Sequence, residues 1–245
     1  MGPFATIDAA GACRICLCGR RMLESLQTIL DSWWLVAAWA VVAAVSVAIL
    51  VRDLSTRNPE IPGLMRFVWI FTAAYSGPLG LWLYWSSGRK QIANDNRWRR
   101  GARSVAHCYS GCGMGEIAGV LITVGLLSLS NWWVAGVTFS LAYVAGFALT
   151  VGPLMEEGVG LAQALRDAFY SETASITVME VVAISTDLLL AGAAGMGQAV
   201  FWVSLIVSLT AGLAAAYPVN VLLIQWGVKE GMHDPREMAG AGPAG

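Results

Sequence analysis

Six long apolar segments dominate this chain and restrict what it can fold into. They cover approximately residues 33–51, 64–85, 105–127, 132–151, 174–194 and 199–226. A bilayer core about 30 Å thick needs roughly 20 apolar residues per helix. Only 13% of the residues are charged, whereas soluble domains carry about 25%. The sequence therefore predicts an all-α integral membrane bundle of about six transmembrane helices, surrounded by the lipid bilayer.

The segments outside the predicted bundle are short. Residues 32–230 hold the six helices, and residues 1–31 form a cysteine-containing segment in which 23–30 could be a short interfacial helix. Residues 231–245 are rich in Gly and Ala and predict a flexible tail. The first apolar run exceeds the roughly 7–15 residues of a cleaved signal, so we expect it to be retained. An alternative interpretation starts the native protein at Met22.

The distribution of basic residues predicts an orientation. With six crossings, twelve of the 15 Lys and Arg residues fall on one side, and Arg52, Arg57 and Arg66 fall on the other. The positive-inside rule places the side with twelve in the cytoplasm, together with both termini. The formal net charge of −1 provides no basic field for nucleic acid, so nucleic acid is not an expected partner.

The third predicted helix opens with the most informative stretch, from His107 to Glu116. Cys108, Cys112 and Glu116 recur every four residues and share one helix face, which His107 flanks. Thiolate and imidazole suit Cu(I) or Zn, and ionisable groups inside a span are costly and commonly functional. The sequence therefore predicts a soft-metal site that holds a copper or zinc ion. The alternative is that the cysteines are merely small apolar side chains in a closely packed helix.

The same helix carries a ladder of small residues, Gly111, Gly115 and Gly119. Such a ladder lets a neighbouring helix approach the backbone closely. We therefore expect the third predicted helix to lie inside the bundle.

Weaker metal-ligand candidates lie at the predicted level of His107. They are Met155, Glu156, Glu157, Met232 and His233. The N-terminal segment adds three thiols within six residues, at Cys13, Cys16 and Cys18. These thiols could capture a soft ion and pass it on, although they are too few to close a four-coordinate zinc site.

The fifth predicted helix carries three acidic residues, Glu172, Glu180 and Asp187. Their spacings of eight and seven residues place them on nearly one face, over about 22 Å of helix. A line of carboxylates through much of a bilayer resembles a proton or cation path. The alternative places Glu172 and Asp187 at the interfaces and leaves Glu180 alone to be explained.

Two prolines predict breaks in helices. Pro78 follows Gly77 in the second apolar segment, and Pro218 lies in the sixth, where Asn220 could serve the backbone group that the proline frees. Broken helices near ionisable groups occur in transporters. A simple packing kink also explains each proline taken alone.

Four segments of the chain resemble an uncharacterised family of bacterial multi-span membrane proteins that carries only a domain-of-unknown-function label. They are Tyr75 to Gly80, His107-Cys108-x-x-Gly111, the surroundings of Met179, and Ala216 to Asn220 continuing to Gly227 through Met232. The resemblance spans most of residues 23–233 and implies the bacterial cytoplasmic (inner) membrane as the location. In that family an Asp can stand where Cys112 stands here, which implies a site of His, Cys and carboxylate groups.

Three hypotheses for the function follow. The first is transport or delivery of a soft metal, most readily copper. The second is haem binding or redox chemistry, with His107 and His233, the only histidines, as ligands. The third is proton- or cation-coupled transport of a small solute through Glu180 and Asp187. The sequence contains no hydrolase, phosphate-loop or nucleotide-binding fingerprint, which favours a non-enzymatic role. A homo-oligomer stays open.

Overall fold

The chain folds into helices throughout the part that the structure describes. The computed structural model describes residues 23–192, 194–232 and 234–240, and within them the chain contains no β-strand. We label the helix at 23–30 α1. The others are α2 (Trp33–Thr56), α3 (Gly63–Ser76), α4 (Pro78–Leu83), α5 (Arg97–Val120), α6 (Asn131–Glu156), α7 (Leu161–Leu190), α8 (Ala199–Gln225) and α9 (Pro235–Gly240). Wider π-helical turns extend α4 through Tyr84–Gly88 and α5 through Leu121–Leu126.

Five of the described helices are long and apolar enough to cross a membrane. They are α2, α5 with its extension, α6, α7 and α8. The predicted second span, residues 64–85, is not among them because the chain divides it at Gly77 into α3 and α4. The apolar helices support the predicted membrane bundle. The predicted count of six becomes five long helices and one divided segment.

The helices α3 and α4 form a hairpin and do not continue each other. The chain reverses at Gly77, whose φ of 54° is rarely adopted by residues with a side chain. Beyond it, α4 packs so closely on α3 that a Cβ on Gly80 would lie 2.5 Å from the carbonyl oxygen of Thr72. Farther along, the rings of Trp69 and Tyr84 meet edge to face at a centroid distance of 5.6 Å. The chain thus returns to the end of the bundle from which α3 starts.

Polar contacts tie the hairpin to the C-terminal end of α2. The Tyr84 hydroxyl donates to Asp53 of α2 at 2.8 Å, and the backbone N–H of Lys90 donates to the Asn58 side chain at 3.0 Å. The Lys90 ammonium also donates to Glu60 at 2.5 Å, a hydrogen bond that lowers the pKa of this exposed carboxyl. The loops before α3 and after α4 therefore lie side by side.

One end of the bundle collects the basic residues, and we call it the basic end. It comprises the C-terminal ends of α2, α6 and α8, the N-terminal ends of α5 and α7, and the open end of the hairpin. All Lys and Arg residues of the described part lie there: Arg52, Arg57, Arg66, Arg89, Lys90, Arg97, Arg99, Arg100, Arg103, Arg166, Lys229 and Arg236. The prediction that separated the first three from the others is wrong, because residues 64–85 turn back and do not cross.

The N-terminal and C-terminal parts of the described chain lie at opposite ends of the bundle. The Gln27 side chain in α1 donates to the carbonyl of Leu190, at the end of α7, at 3.0 Å. At the basic end, the Arg103 guanidinium donates to the carbonyl of Met232 at 3.1 Å. The expectation that both termini share one face stays a prediction, because the termini lie outside the described residues; within these residues, α1 and the segment after α8 lie at opposite ends of the bundle.

The glycine ladder places α5 in the interior, as predicted. A Cβ on Gly115 would lie 2.3 Å from the carbonyl oxygen of Leu141 in α6, and one on Gly119 would lie 2.8 Å from the Cα of Thr138. Side chains cannot be accommodated at such distances, so the two backbones depend on glycine for their contact. This contact brings the cysteine face of α5 against α6 and α7.

Candidate functional site

A chain of buried polar groups runs through the centre of the bundle and starts at the basic end. There the Lys229 ammonium donates to both carboxylate oxygens of Glu172 at 2.7 Å. Lys229 is 8% exposed and Glu172 is 2% exposed. Buried charges persist only when a partner and further hydrogen bonds compensate for lost hydration. The pair therefore anchors the segment after α8 to α7.

Asn220 joins three helices next to this ion pair. Its Oδ1 accepts hydrogen bonds from Ser104 of α5 at 3.0 Å and from Lys229 at 3.3 Å. Its Nδ2 donates to Ser175 of α7 at 2.6 Å and to the carbonyl of Ala216 at 3.0 Å. Asn220 and both serines are fully buried. The sequence pointed to Asn220 as a partner of a helix break, and the structure shows it at the centre of a side-chain network.

Two thiols continue the chain beyond Ser175. The Ser175 Oγ lies 3.7 Å from the Cys108 Sγ, and the Sγ atoms of Cys108 and Cys112 lie 3.9 Å apart. Both cysteines are free and buried. The predicted sharing of one helix face is confirmed for the two thiols, which point towards α7.

Glu180 follows the thiols and is the most unusual group of the chain. It is fully buried, and neither carboxyl oxygen accepts a hydrogen bond from a nitrogen or oxygen atom of the described residues. Its neighbours are Glu116, Cys108 and the Cys112 thiol, whose S–H is a weak donor. A buried polar group without a partner is costly, and native proteins contain few such groups. Packing alone does not explain this carboxyl.

A cavity of about 460 Å³ lies between Glu116, a neighbour of Glu180, and the end opposite the basic one. Glu116 and Asp187 lie in its wall, and Ser128 and Gly192 lie near its mouth, in the loops after α5 and α7. Asp187 accepts a hydrogen bond from Ser204 at 2.7 Å. Such a volume holds several water molecules. The cavity is therefore large enough for water beside Glu116 and Asp187, two of the carboxyl groups.

The three acidic residues of α7 occupy different surroundings along this chain. Glu172 is paired with Lys229, Glu180 faces the thiols and Glu116, and Asp187 lies half-buried beside the cavity. The alternative that placed Glu172 at an interface stays open, because its carboxylate is buried but lies at the basic end, beside Lys229 and Thr150. The line of carboxylates thus follows the interior of the bundle.

His107 does not join the thiols. It is 1% exposed, its ring lies beside the backbone of Leu149 in α6, and its electrostatic neighbours are Glu172 and Lys229. Across the described ranges, no group of three or more His, Cys, Asp or Glu side chains is placed to hold a metal ion. The four predicted ligands, His107, Cys108, Cys112 and Glu116, are therefore spread along the row of buried polar groups and do not meet at one point.

The remaining predicted residues lie apart from the chain or outside the described residues. Met155, Glu156 and Glu157 are exposed at the end of α6, and Met232 contacts the core and offers its carbonyl to Arg103. Cys13, Cys16, Cys18 and His233 lie outside the described residues, so the haem hypothesis and the capture of metal in the N-terminal segment stay predictions. Pro78 begins α4 directly after the reversal at Gly77, and Pro218 lies inside α8.

Three residues of the buried polar network were not predicted from the sequence: Lys229, Ser104 and Ser175. Lys229 was used only to infer the membrane orientation, although it is an isolated basic residue directly after a long apolar segment. Ser104 and Ser175 carried no signal, because serine is common in packed helices and the sequence does not show which serines face each other. Their functional interest comes only from their shared contacts with Asn220.

One comparison with known proteins finds a match, and the matched residues include the buried polar groups described above. Residues 97–229 match a family described as Domain of unknown function (DUF4396), which is more than half of the 245 residues. The match starts with α5 and ends at Lys229, so it contains every group from Ser104 to Lys229 and leaves out α2 and the hairpin. No curated protein and no solved structure matches the chain.

Proposed function

Because this chain belongs to the DUF4396 family of unknown function, we propose its activity from its own geometry: it moves protons or another small monovalent cation through the buried polar chain. The path runs from the cavity past Glu180 and the two thiols towards Glu172. Coupled transport of a small solute would use the same path.

Glu180 is the observation that carries this proposal. A carboxylate that is fully buried and faces only two thiols and a second carboxyl is stable only when a proton or another cation neutralises it. Its position between the cavity and the thiols gives such a cation a route from one end of the bundle. A site that requires a mobile counter-ion is what a cation pathway needs.

The path is open at one end and closed at the other. Glu116 and Asp187 line the cavity, whereas Lys229 and Asn220 occupy the basic end of the polar chain. A transporter that alternates between two sides is closed at one of them in each state. The arrangement corresponds to such a state, with access from the cavity side.

Flux through the purified protein in liposomes tests the pathway. We expect wild-type protein to carry a proton or cation current driven by an imposed gradient, and Glu180→Gln to reduce that current to the level of empty liposomes. Glu156→Gln, at an exposed carboxylate on the end of α6, is the matched control and should conduct normally. Equal currents through wild type and Glu180→Gln would show that the carboxylate line is not a pathway.

The concentration of Lys and Arg at one end supports an orientation. By the positive-inside rule, we propose that the basic end faces the cytoplasm and that the cavity opens to the outer side of a bacterial inner membrane. The loop that contains Glu60 discriminates the two topologies, because six full crossings would place it outside.

Cysteine labelling tests this orientation in intact cells. In a background with Ser at Cys13, Cys16 and Cys18, we expect a membrane-impermeant maleimide to label Ser130→Cys directly. Glu60→Cys should react only after permeabilisation. Labelling of Glu60→Cys in intact cells would support six crossings and contradict the hairpin.

A second candidate function rests on the thiol pair. Two sulfur ligands at about 2.3 Å from a tetrahedral metal lie about 3.8 Å apart, and the two Sγ atoms are 3.9 Å apart. Through these two sulfur atoms, the pair could hold Cu(I) or Zn during transport or delivery. Cu(I) binding is compared between protein with serine at the three N-terminal cysteines and the same protein carrying Cys108→Ser/Cys112→Ser. Equal binding by the two would exclude this site.

A further inference from the structure

The surroundings of Glu172 carry a more specific inference. We propose that Glu172 and Asn220 form a binding site for an ammonium-like monovalent cation at the basic end, and that Lys229 is its tethered occupant in this conformation. The inference rests on the proposed cation pathway and names the class of its substrate. Its test measures binding, so it can fail separately from transport.

Three oxygen atoms define the site. The Lys229 Nζ contacts both carboxylate oxygens of Glu172 at 2.7 Å and the Asn220 Oδ1 at 3.3 Å. Thr150 and Ser104 support these acceptors with hydrogen bonds of 3.4 and 3.0 Å. A primary ammonium group carries the charge of free ammonium or K⁺ and has a similar size. The oxygens that hold the lysine are therefore already arranged for a free cation of that kind.

The segment that carries Lys229 is attached more weakly than a helix. Gly227 and Gly231, with φ of 70° and 81°, flank the lysine at both ends of a non-helical stretch. Between them, the N–H groups of Val228 and Lys229 are the backbone donors that find an acceptor among the described residues, the carbonyl of Leu223, at 3.0 and 3.3 Å. Rotation at the two glycines would withdraw the lysine without unfolding α8.

The basic end of the polar chain opens when Lys229 is withdrawn, and this withdrawal depends on the arrival of a cation. Glu172 is 2% exposed, and a buried carboxylate without its partner is strongly destabilised. The lysine can therefore leave only when another cation replaces it. This exchange would open the basic end of the polar chain once for each ion that enters.

Removal of the lysine side chain tests the site directly. We expect Lys229→Ala to lower the Tm of the purified protein by roughly 6–20 °C in N-methylglucamine chloride. Ammonium chloride of equal ionic strength should restore much of that loss in a saturable manner. Wild type should show no difference between the two salts. Lys90→Ala removes the exposed partner of Glu60 and should show no recovery specific to ammonium.

The outcomes separate the site from the pathway. Equal Tm values of Lys229→Ala in both salts would overturn the inference. So would a Tm that low pH restores and ammonium does not. So would a Lys229→Ala protein that cannot be purified even in ammonium while Glu172→Gln/Lys229→Met folds. Ammonium recovery together with an unaffected Glu180→Gln current would keep the site and reject the pathway.

Discussion

The helices α2 and α5 have equal lengths of 24 residues and opposite surroundings. In an 18-residue apolar stretch of each helix, 11% of the residues are buried inside the bundle for the more apolar α2, and 56% for α5 with its π-helical extension. Lipid tails are as apolar as leucine, so no hydrophobic force draws an apolar helix into a membrane bundle. Small and polar residues, which allow close contact and hydrogen bonding, mark the interior. The least apolar of the five long helices, α5, is therefore an interior one and supplies Ser104, both thiols and Glu116 to the site.

The largest effect is expected where α5 touches the backbone of α6. Gly115→Leu would place a Cβ 2.3 Å from the carbonyl oxygen of Leu141 and 2.5 Å from the Cα of Ala142. Backbone atoms cannot move aside as a flexible side chain can, so we expect a loss of more than about 3 kcal/mol and little folded protein. Thermal unfolding and the yield of monodisperse protein in detergent measure this.

The control for this change lies on α2. Ala48 is exposed on the surface of the bundle, and Ala48→Leu adds the same side chain without a neighbour to displace. We expect its Tm to match that of wild type. If Ala48→Leu and Gly115→Leu destabilise the protein equally, α5 is no more central than α2 and the contrast between them fails.

The interior position of α5 could be predicted from the sequence, and the hairpin could not. Gly111, Gly115 and Gly119 encode close packing through their spacing alone, which is a local property of one helix. The reversal at Gly77 depends on a backbone conformation that Gly-Pro sequences permit without requiring, and the apolar character of residues 64–85 fits a crossing equally well. Deciding between the two requires the contacts of Gly80 and Tyr84 with α3 and α2.

The site was predicted in part for the same reason. Helical spacing was sufficient to place Cys108 and Cys112 together and to align the carboxylates of α7. The partner of Glu172 is Lys229, 57 residues away in sequence, and no local pattern connects them. His107 is adjacent to Cys108 in sequence, yet helix geometry turns it towards different neighbours. Which polar groups pair over long distances in the sequence cannot be predicted from a single sequence.

A smaller effect is expected from Asn220→Ala in the polar chain. This change removes the acceptor of Ser104 and one acceptor of Lys229, together with the donor to Ser175. Buried groups left unsatisfied cost about 1–3 kcal/mol each. Because the serine hydroxyls can rotate towards other acceptors, we expect the free energy of unfolding to fall by about 3 kcal/mol in total. Chemical denaturation in detergent measures the free energy of unfolding.

Ser55→Ala is the corresponding change on α2. The Ser55 hydroxyl is exposed and donates only to the carbonyl of Val51 in its own helix. Its removal should change the unfolding free energy by less than about 0.5 kcal/mol. An Asn220→Ala protein as stable as Ser55→Ala would mean that the buried network contributes nothing to folding.

The smallest effect is expected at the contact between α2 and the hairpin. Tyr84→Phe removes the hydroxyl that donates to Asp53 at 2.8 Å, while Asn58 continues to donate to the same carboxylate at 2.9 Å. Because Asp53 keeps one donor, we expect a loss of about 1–2 kcal/mol by the same denaturation. Tyr170→Phe, at an exposed ring of α7, should have no effect. If Tyr84→Phe lowered the free energy of unfolding as much as Asn220→Ala does, polar contacts would hold α2 to the bundle as strongly as they hold α5. The contrast between the two helices would then concern only their apolar surfaces.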